Sequence, residues 1–195
     1  MKRSVCSVVR VLIVIAIGCA IISIPGKVKA ETEQKLYTAY NIWFEKPEKI
    51  SSINYKRGAI IPAGTHVRDV EIITHRKRTA ITFTTVKENR AFLLYWKQKL
   101  HPGKTVQHFK NNLFTTMQFE ELSAGMTNKE IMAIKKGEPV KGMSKKALLV
   151  CYGPPPEHGT FRQEHNVWVY WTSKFVRKKI FFGNDDRITG FKKGL

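Results

Sequence analysis

The first half of the chain alternates apolar and polar positions in short runs that are rich in β-branched and aromatic residues. The runs YTAYNIWF, TAITFTTV and AFLLYWKQKL lie between about Leu36 and Lys99 and predict strands, with a buried helix as the alternative for AFLLYWKQKL. A Pro-Ala-Gly sequence inside GAIIPAGTHVRDVEI predicts a tight bend or hairpin. We therefore predict a small β-rich domain over residues 31–103, for which an SH3-like barrel is one candidate.

Residues 104–122 follow the breaker His101-Pro102-Gly103 and are predicted to connect the two halves of the chain. Val106, Phe109 and Leu113 recur at helical spacing, which predicts one short helix in this connector.

Helix signals become strong in the last third of the chain, residues 123–195. Thr127 with Glu130 three residues later matches a capping box, and Gly137 is placed to end that helix. Ser144 is a second N-cap candidate, before a buried helix over Ala147–Tyr152 that ends at a glycine and three prolines.

Three runs after that helix, VWVYW, RKKIFF and RITGF, are predicted to form an antiparallel meander, because turn residues separate the last two. The predicted fold class is α+β. It consists of an N-terminal small β-rich domain followed by two short helices packed on a three-stranded antiparallel sheet.

Residues 1–30 have the features of a cleaved secretory signal. Basic residues precede an apolar run of 14 residues, Val11–Ile24, and Val28-Lys29-Ala30 predicts cleavage after Ala30. The run is short for a spanning helix, which needs about 20 residues. An uncleaved anchor, and a lipoprotein attached through Cys19, stay open as alternatives. The expected location is periplasmic or associated with the outer membrane.

The chain is strongly basic, with 34 Lys and Arg against 15 Asp and Glu and a net charge of +19. Cleavage after Ala30 would remove five basic residues and no acids, which leaves +14. Such a surface attracts anionic lipids, nucleic acid or acidic proteins, and export argues against nucleic acid. Of the three cysteines, Cys151 alone would remain, in an apolar context typical of a buried thiol.

The segments KGMSKKALLVCYGPPPEH, NVWVYW and KKIFFGNDDRITGF follow one another in an order that resembles the SmpA/OmlA (BamE-like) family of bacterial envelope proteins. The resemblance covers Gly125 to Phe191. It implies two helices packed on an antiparallel sheet, and a non-enzymatic role in outer-membrane assembly or maintenance. Secreted inhibitor proteins share this type of fold, so a soluble inhibitor or ligand-binding module is the alternative.

Two groups of basic residues are candidate binding sites. Lysines beside the second helix start would oppose the helix dipole unless an anion, such as a phosphate or carboxylate, were bound there. In RKKIFF, alternation puts two cations on one sheet face, where they could form a basic docking surface with a neighbouring lysine and an aromatic anchor. Solvated lysines are the simpler interpretation of both groups. The first group is Lys141, Ser144, Lys145 and Lys146; the second is Lys174, Arg177, Lys179 and Trp171.

Sequence motifs for catalysis or metal binding are absent: there is no GxSxG, HExxH, P-loop, CxxC or dinucleotide fingerprint. His158 and His165 flank one loop and are the best-placed pair for a metal, but no metal or cofactor is expected. The first hypothesis is thus a non-enzymatic binding or scaffold protein, whose partner is an envelope protein or an anionic lipid surface. An envelope enzyme acting on a cell-wall or lipid substrate is the third hypothesis, and it would require a cleft with a perturbed acid, base or thiol.

Overall fold

The structure is a computed structural model that describes residues 34–157 and 166–194. The predicted signal peptide, its cleavage site after Ala30, Cys19 and the pair His158 and His165 lie outside these residues. Within the part described, no helix is long and apolar enough to cross a membrane.

The described residues contain eleven strands and four α-helices. In chain order the strands are β1 (Leu36–Thr38), β2 (Ile42–Phe44), β3 (Ile50–Ser51), β4 (Ala59–Ile61), β5 (His66–His75), β6 (Arg78–Thr85), β7 (Arg90–Tyr95), β8 (Phe114–Thr115), β9 (Val167–Trp171), β10 (Arg177–Phe182) and β11 (Ile188–Gly194). The helices are α1 (Val106–Leu113), α2 (Phe119–Leu122), α3 (Asn128–Lys136) and α4 (Lys145–Tyr152).

The largest sheet is curled and has six strands in the order β3-β7-β6-β5-β1-β8. Its centre is the antiparallel pairing of β5, β6 and β7, whereas β3 pairs with β7 in parallel. Inward side chains form one core cluster around Phe83, whose ring lies 5.3 Å from that of Phe92 and 5.2 Å from that of Phe114. Phe114 belongs to β8, so part of the predicted connector is a strand of this sheet.

Helix boundaries follow the local signals. The Thr127 side chain accepts a hydrogen bond from the Glu130 N–H, and the Glu130 carboxylate accepts one from the Thr127 N–H. Gly137 ends α3 in the left-handed conformation at φ 69°. Ser144 caps α4 as predicted. The predicted helix in the connector is α1, while α2 was not predicted.

The last three strands form the predicted antiparallel meander, in the order β11-β10-β9. Their inward residues share a second core cluster with α3 and α4. Trp43 from β2 packs into this same cluster, with its ring 5.2 Å from Tyr152. The buried Asn41 side chain ties the region together by donating to the Ile134 carbonyl at 2.7 Å and accepting from the Ala63 N–H at 2.8 Å.

The fold is therefore mixed α and β, as predicted, but the simple layout of two helices on three strands is wrong. The described residues contain four α-helices, two short 3-10 helices and three sheets, and the pair β2-β4 contributes Trp43 to the core that α3 and α4 form. The sequence pattern did not show this because Trp43 lies more than a hundred residues before its partner Tyr152. The division into domains at residue 103 stays a prediction.

Candidate functional site

A cleft of about 460 Å³ lies among the turn after β3, helix α1, the end of α4 and the proline segment that follows it. This volume is in the range of small-molecule sites. Apolar side chains form most of the wall, and a few polar groups converge on it. The apolar lining includes Ile53, Phe109, Leu149, Val150 and Pro154 to Pro156; the polar lining includes Ser52, Lys56, His101, Lys104 and Glu157.

Three of these polar residues form a hydrogen-bonded chain. His101 Nε2 lies 3.0 Å from Ser52 Oγ, and His101 Nδ1 lies 3.2 Å from Glu157 Oε2. Because an ionised carboxylate only accepts hydrogen bonds, Nδ1 carries the proton that binds Glu157. A neutral imidazole then accepts the Ser52 hydroxyl proton at Nε2. This is the order of groups found in serine hydrolase triads.

His101 is held firmly in this position. The residue is 4% exposed, and its ring stacks on Trp96 at 4.4 Å and 14°. Burial lowers the pKa of His101 below its ordinary value, and Glu157 partly offsets that effect. A neutral histidine near pH 7 can accept a proton, which is the state that a general base requires.

Lys56 supplies an unusual amine to the same cleft. Its Nζ donates to the Tyr152 carbonyl at 2.6 Å and lies over the rings of Trp43 and Tyr170, 4.5 Å and 5.7 Å from their centroids. Burial lowers the pKa of Lys56 well below its usual range. No ion pair within the described residues involves Lys56. The aromatic rings and one carbonyl therefore surround this amine in place of a carboxylate, and they do not offset the burial that disfavours its charged form.

Cys151, the thiol considered in the sequence, does not take part in this chemistry. It is fully buried in α4, and burial raises its pKa to about 12, so it stays protonated near neutrality. Among residues 34–157 and 166–194, no group of three His, Cys, Asp or Glu is placed to hold a metal ion.

The predicted anion site at the start of α4 already contains a carboxylate from the protein itself. Glu130 Oε1 accepts from the Ser144 N–H at 2.9 Å. Lys145 pairs with Asp186, and Lys146 Nζ donates to the Ala124 carbonyl at 2.8 Å. Lys141 is exposed. Glu130 thus occupies the position where a bound anion was expected, and the predicted ligand would have to compete with it.

The second predicted group lies on the outer face of the three-stranded sheet and in the turn beside it. The guanidinium of Arg177 lies 4.3 Å from the ring centroid of Trp171, its partner on β9. Lys179 is exposed and lies directly opposite Lys192 of β11. Lys174 lies in the turn between β9 and β10, with its Nζ 5.2 Å from the ring of Phe175.

We call this group the basic hairpin surface: Lys174, Phe175, Arg177, Lys179 and Lys192. No ion pair among residues 34–157 and 166–194 involves any of its cations. Phe175 is 70% exposed, the largest exposure among the large apolar residues described. The surface therefore combines uncompensated positive charge with one exposed aromatic ring.

Sequence reasoning missed Ser52, Lys56, His101 and Glu157 as a group. Ser52 and His101 are 49 residues apart, and His101 and Glu157 are 56 residues apart. His101 was interpreted only as part of a breaker. The one local signal was its position beside Pro102-Gly103, which is typical of a turn.

Comparison with known proteins gives no family assignment. No family model, no curated protein and no solved structure matches this chain. The likeness to SmpA/OmlA proteins therefore stays a prediction from the residues that carry it.

Proposed function

We propose that this chain is an exported binding or scaffold protein of a bacterial cell envelope, and that it docks on an anionic lipid surface through the basic hairpin surface. The location rests on the signal-like residues 1–30 and on the resemblance to envelope proteins. The docking rests on the chemistry of the basic hairpin surface.

The observation that carries the proposal is the pair Lys179 and Lys192. These lysines face each other directly across β10 and β11. Like charges opposite each other in a sheet destabilise it, because their Cβ atoms are only about 5 Å apart. A phosphate between the two ammonium groups would convert this repulsion into two attractions. The arrangement therefore favours an anionic ligand over solvent alone.

Phe175 favours a membrane as the source of that anion. An aromatic ring that is 70% exposed beside Lys174 can enter the interface while the ammonium stays at the phosphate level. Basic residues near an anionic bilayer each contribute about 1 kcal/mol of binding free energy. The four cations of the surface thus suffice for reversible docking without a spanning helix.

The test uses the full gene product in the form purified from expressing cells. The protein is sedimented with phosphatidylcholine vesicles in which either none or about one third of the lipid is phosphatidylglycerol. The double variant Lys179→Glu and Lys192→Glu should weaken binding to the anionic vesicles by at least about 30-fold, because two contributions of about 1 kcal/mol each are lost and two repelled carboxylates are added. Phe175→Ser should weaken it without changing its dependence on salt.

The matched control is Lys46→Glu with Lys87→Glu, which makes the same change in net charge at two exposed lysines of the N-terminal half. Equal losses in both double variants would mean that only net charge matters, and would overturn the assignment of the surface. Equal binding to neutral and anionic vesicles would overturn the lipid proposal itself.

The assembly role has a separate test in intact cells. Crosslinking at Phe175 followed by mass spectrometry should recover envelope lipid together with outer-membrane assembly proteins. Recovery of cytosolic proteins alone would contradict both the export and the role.

A further inference from the structure

The cleft holds a set of groups that docking on a lipid surface does not use. Ser52, His101 and Glu157 come from three separate parts of the chain, yet their side chains form one continuous hydrogen-bonded row that ends at the cleft wall.

We propose that Ser52, His101 and Glu157 are a catalytic triad that hydrolyses carboxylic esters bound in this cleft. This activity goes beyond the docking function and departs from the sequence-based expectation of a chain without catalysis. Ser52 is the nucleophile, His101 is the general base and acid, and Glu157 is the positioning residue that fixes the histidine tautomer.

The geometry supports each of these roles. The 3.0 Å separation between Ser52 Oγ and His101 Nε2 permits direct proton transfer. Stacking on Trp96 at 4.4 Å keeps the ring of His101 in the plane that serves both hydrogen bonds. Ser52 lines the cleft although it is only 3% exposed, as is common for a nucleophile at the base of a pocket.

The cleft wall indicates the class of substrate. Phe109, Leu149 and the proline segment present an apolar surface suited to an acyl chain. The Lys56 amine also lines the cleft. One of its N–H groups binds the Tyr152 carbonyl, and in this proposal another stabilises the developing oxyanion. The expected substrate is thus an ester of an apolar acyl group with a small alcohol.

The reaction balances without any further reactant except water. Ser52 Oγ bonds to the acyl carbon and passes its proton to His101 Nε2. The ester C–O bond then breaks, and the leaving alcohol takes that proton. Water attacks the acyl-serine and gives a proton to Nε2, which returns it to Ser52 as the carboxylic acid leaves.

The experiment measures hydrolysis of p-nitrophenyl butyrate and labelling by a fluorophosphonate probe. It uses the full gene product in the form purified from expressing cells. Ser52→Ala should abolish labelling and lower kcat by at least about a hundredfold. Glu157→Gln should lower kcat with little change in KM, because Glu157 orients His101 and does not contact the ester. Lys56→Met, which keeps an apolar stem, should lower kcat while labelling persists.

Ser123→Ala is the matched control, because Ser123 is also buried but donates to the Glu120 carbonyl and has no histidine partner within residues 34–157 and 166–194. It should retain both labelling and hydrolysis, and thermal unfolding of each variant checks that it is folded. The proposal is overturned if the unmodified protein is not labelled and hydrolyses the ester no faster than Ser52→Ala. Loss of stability in Ser52→Ala without any activity in the parent would assign the row a structural role only.

Discussion

Glu130 joins the starts of two helices, and its removal gives the clearest test of the energetics of this fold. Its Oε2 accepts from the Thr127 N–H at 2.9 Å and from the Thr127 hydroxyl at 3.0 Å, while its Oε1 accepts from the Ser144 N–H at 2.9 Å. Arg187 adds a cation at 3.7 Å. One carboxylate, only 4% exposed, therefore binds the N–H groups of the N-cap residues of both α3 and α4.

The size of the effect follows from the pKa of this carboxyl. Burial alone would raise the pKa of Glu130, but the backbone hydrogen bonds from Ser144 and Thr127 outweigh burial and lower it from 4.5 to about 2. A shift of this size corresponds to about 3 kcal/mol of folding free energy at neutral pH. Glu130→Gln keeps the shape of the side chain but removes its negative charge. The amide N–H₂ group then faces one of the two backbone N–H donors, of Thr127 or Ser144, and cannot accept its hydrogen bond. We expect it to lower the free energy of unfolding by about 3 kcal/mol at pH 7.

The pH dependence has a definite sign. A lowered folded-state pKa stabilises the protein fully above the unfolded value of 4.5, and this stabilisation is lost as the pH falls towards 2. Near pH 3 the contribution should be about half of its value at pH 7. The difference between the parent and Glu130→Gln should shrink by the same amount.

Urea unfolding monitored by tryptophan fluorescence at pH 7, 5 and 3 measures both effects. Glu120→Gln is the control, since Glu120 is exposed in the first turn of α2 and should change stability by less than about 0.5 kcal/mol. A difference below about 1 kcal/mol at pH 7, or a difference that does not change between pH 5 and pH 3, would refute the reasoning.

Two further predictions compare paired positions by thermal or urea unfolding. Gly137 and Gly125 both have positive φ, 69° and 77°, but a Cβ at Gly137 would lie 2.5 Å from Ile60 Cδ1, whereas one at Gly125 meets open space. Gly137→Ala should therefore cost at least about 1 kcal/mol more than Gly125→Ala, and equal costs would show that backbone strain alone decides. Leu148 is fully buried and Leu149 is 39% exposed. Leu148→Ala should cost about 2–5 kcal/mol and Leu149→Ala less than about 1 kcal/mol, and a reversed order would contradict the assigned faces of α4.

Helix starts were predictable from the sequence where the capping residues are of the ordinary types. Thr127 with Glu130, and Ser144, have side chains that bond to backbone groups three residues away, so the signal lies within one turn. Helix α2 was missed although Gln118 and Glu121 make the same reciprocal bonds. Glutamine is a rare N-cap, and a helix of four residues has no apolar period to reveal it.

Sheet membership was less predictable than strand location. The segments of β4 and β5 on either side of the Pro-Ala-Gly bend suggested a hairpin, yet β4 pairs with β2 and β5 pairs with β1 and β6. Alternation identifies which residues share a face, as it did for Arg177 and Lys179. It does not identify the partner strand, which is chosen by packing between distant segments.

The sequence by itself determined most of the longer strands, three of the four described α-helices, the caps of α3 and α4, the meander after α4 and the concentration of positive charge. These properties depend on residues within a few positions of one another. The two-residue strands β3 and β8 were not predicted. Only the tertiary structure brought Glu130 to Ser144 and His101 to Ser52 and Glu157, and it alone set Lys179 opposite Lys192. Those contacts depend on the folded path of the backbone. The chain has several chemically equivalent serines, histidines and lysines, and burial and strand register decide which of them meet.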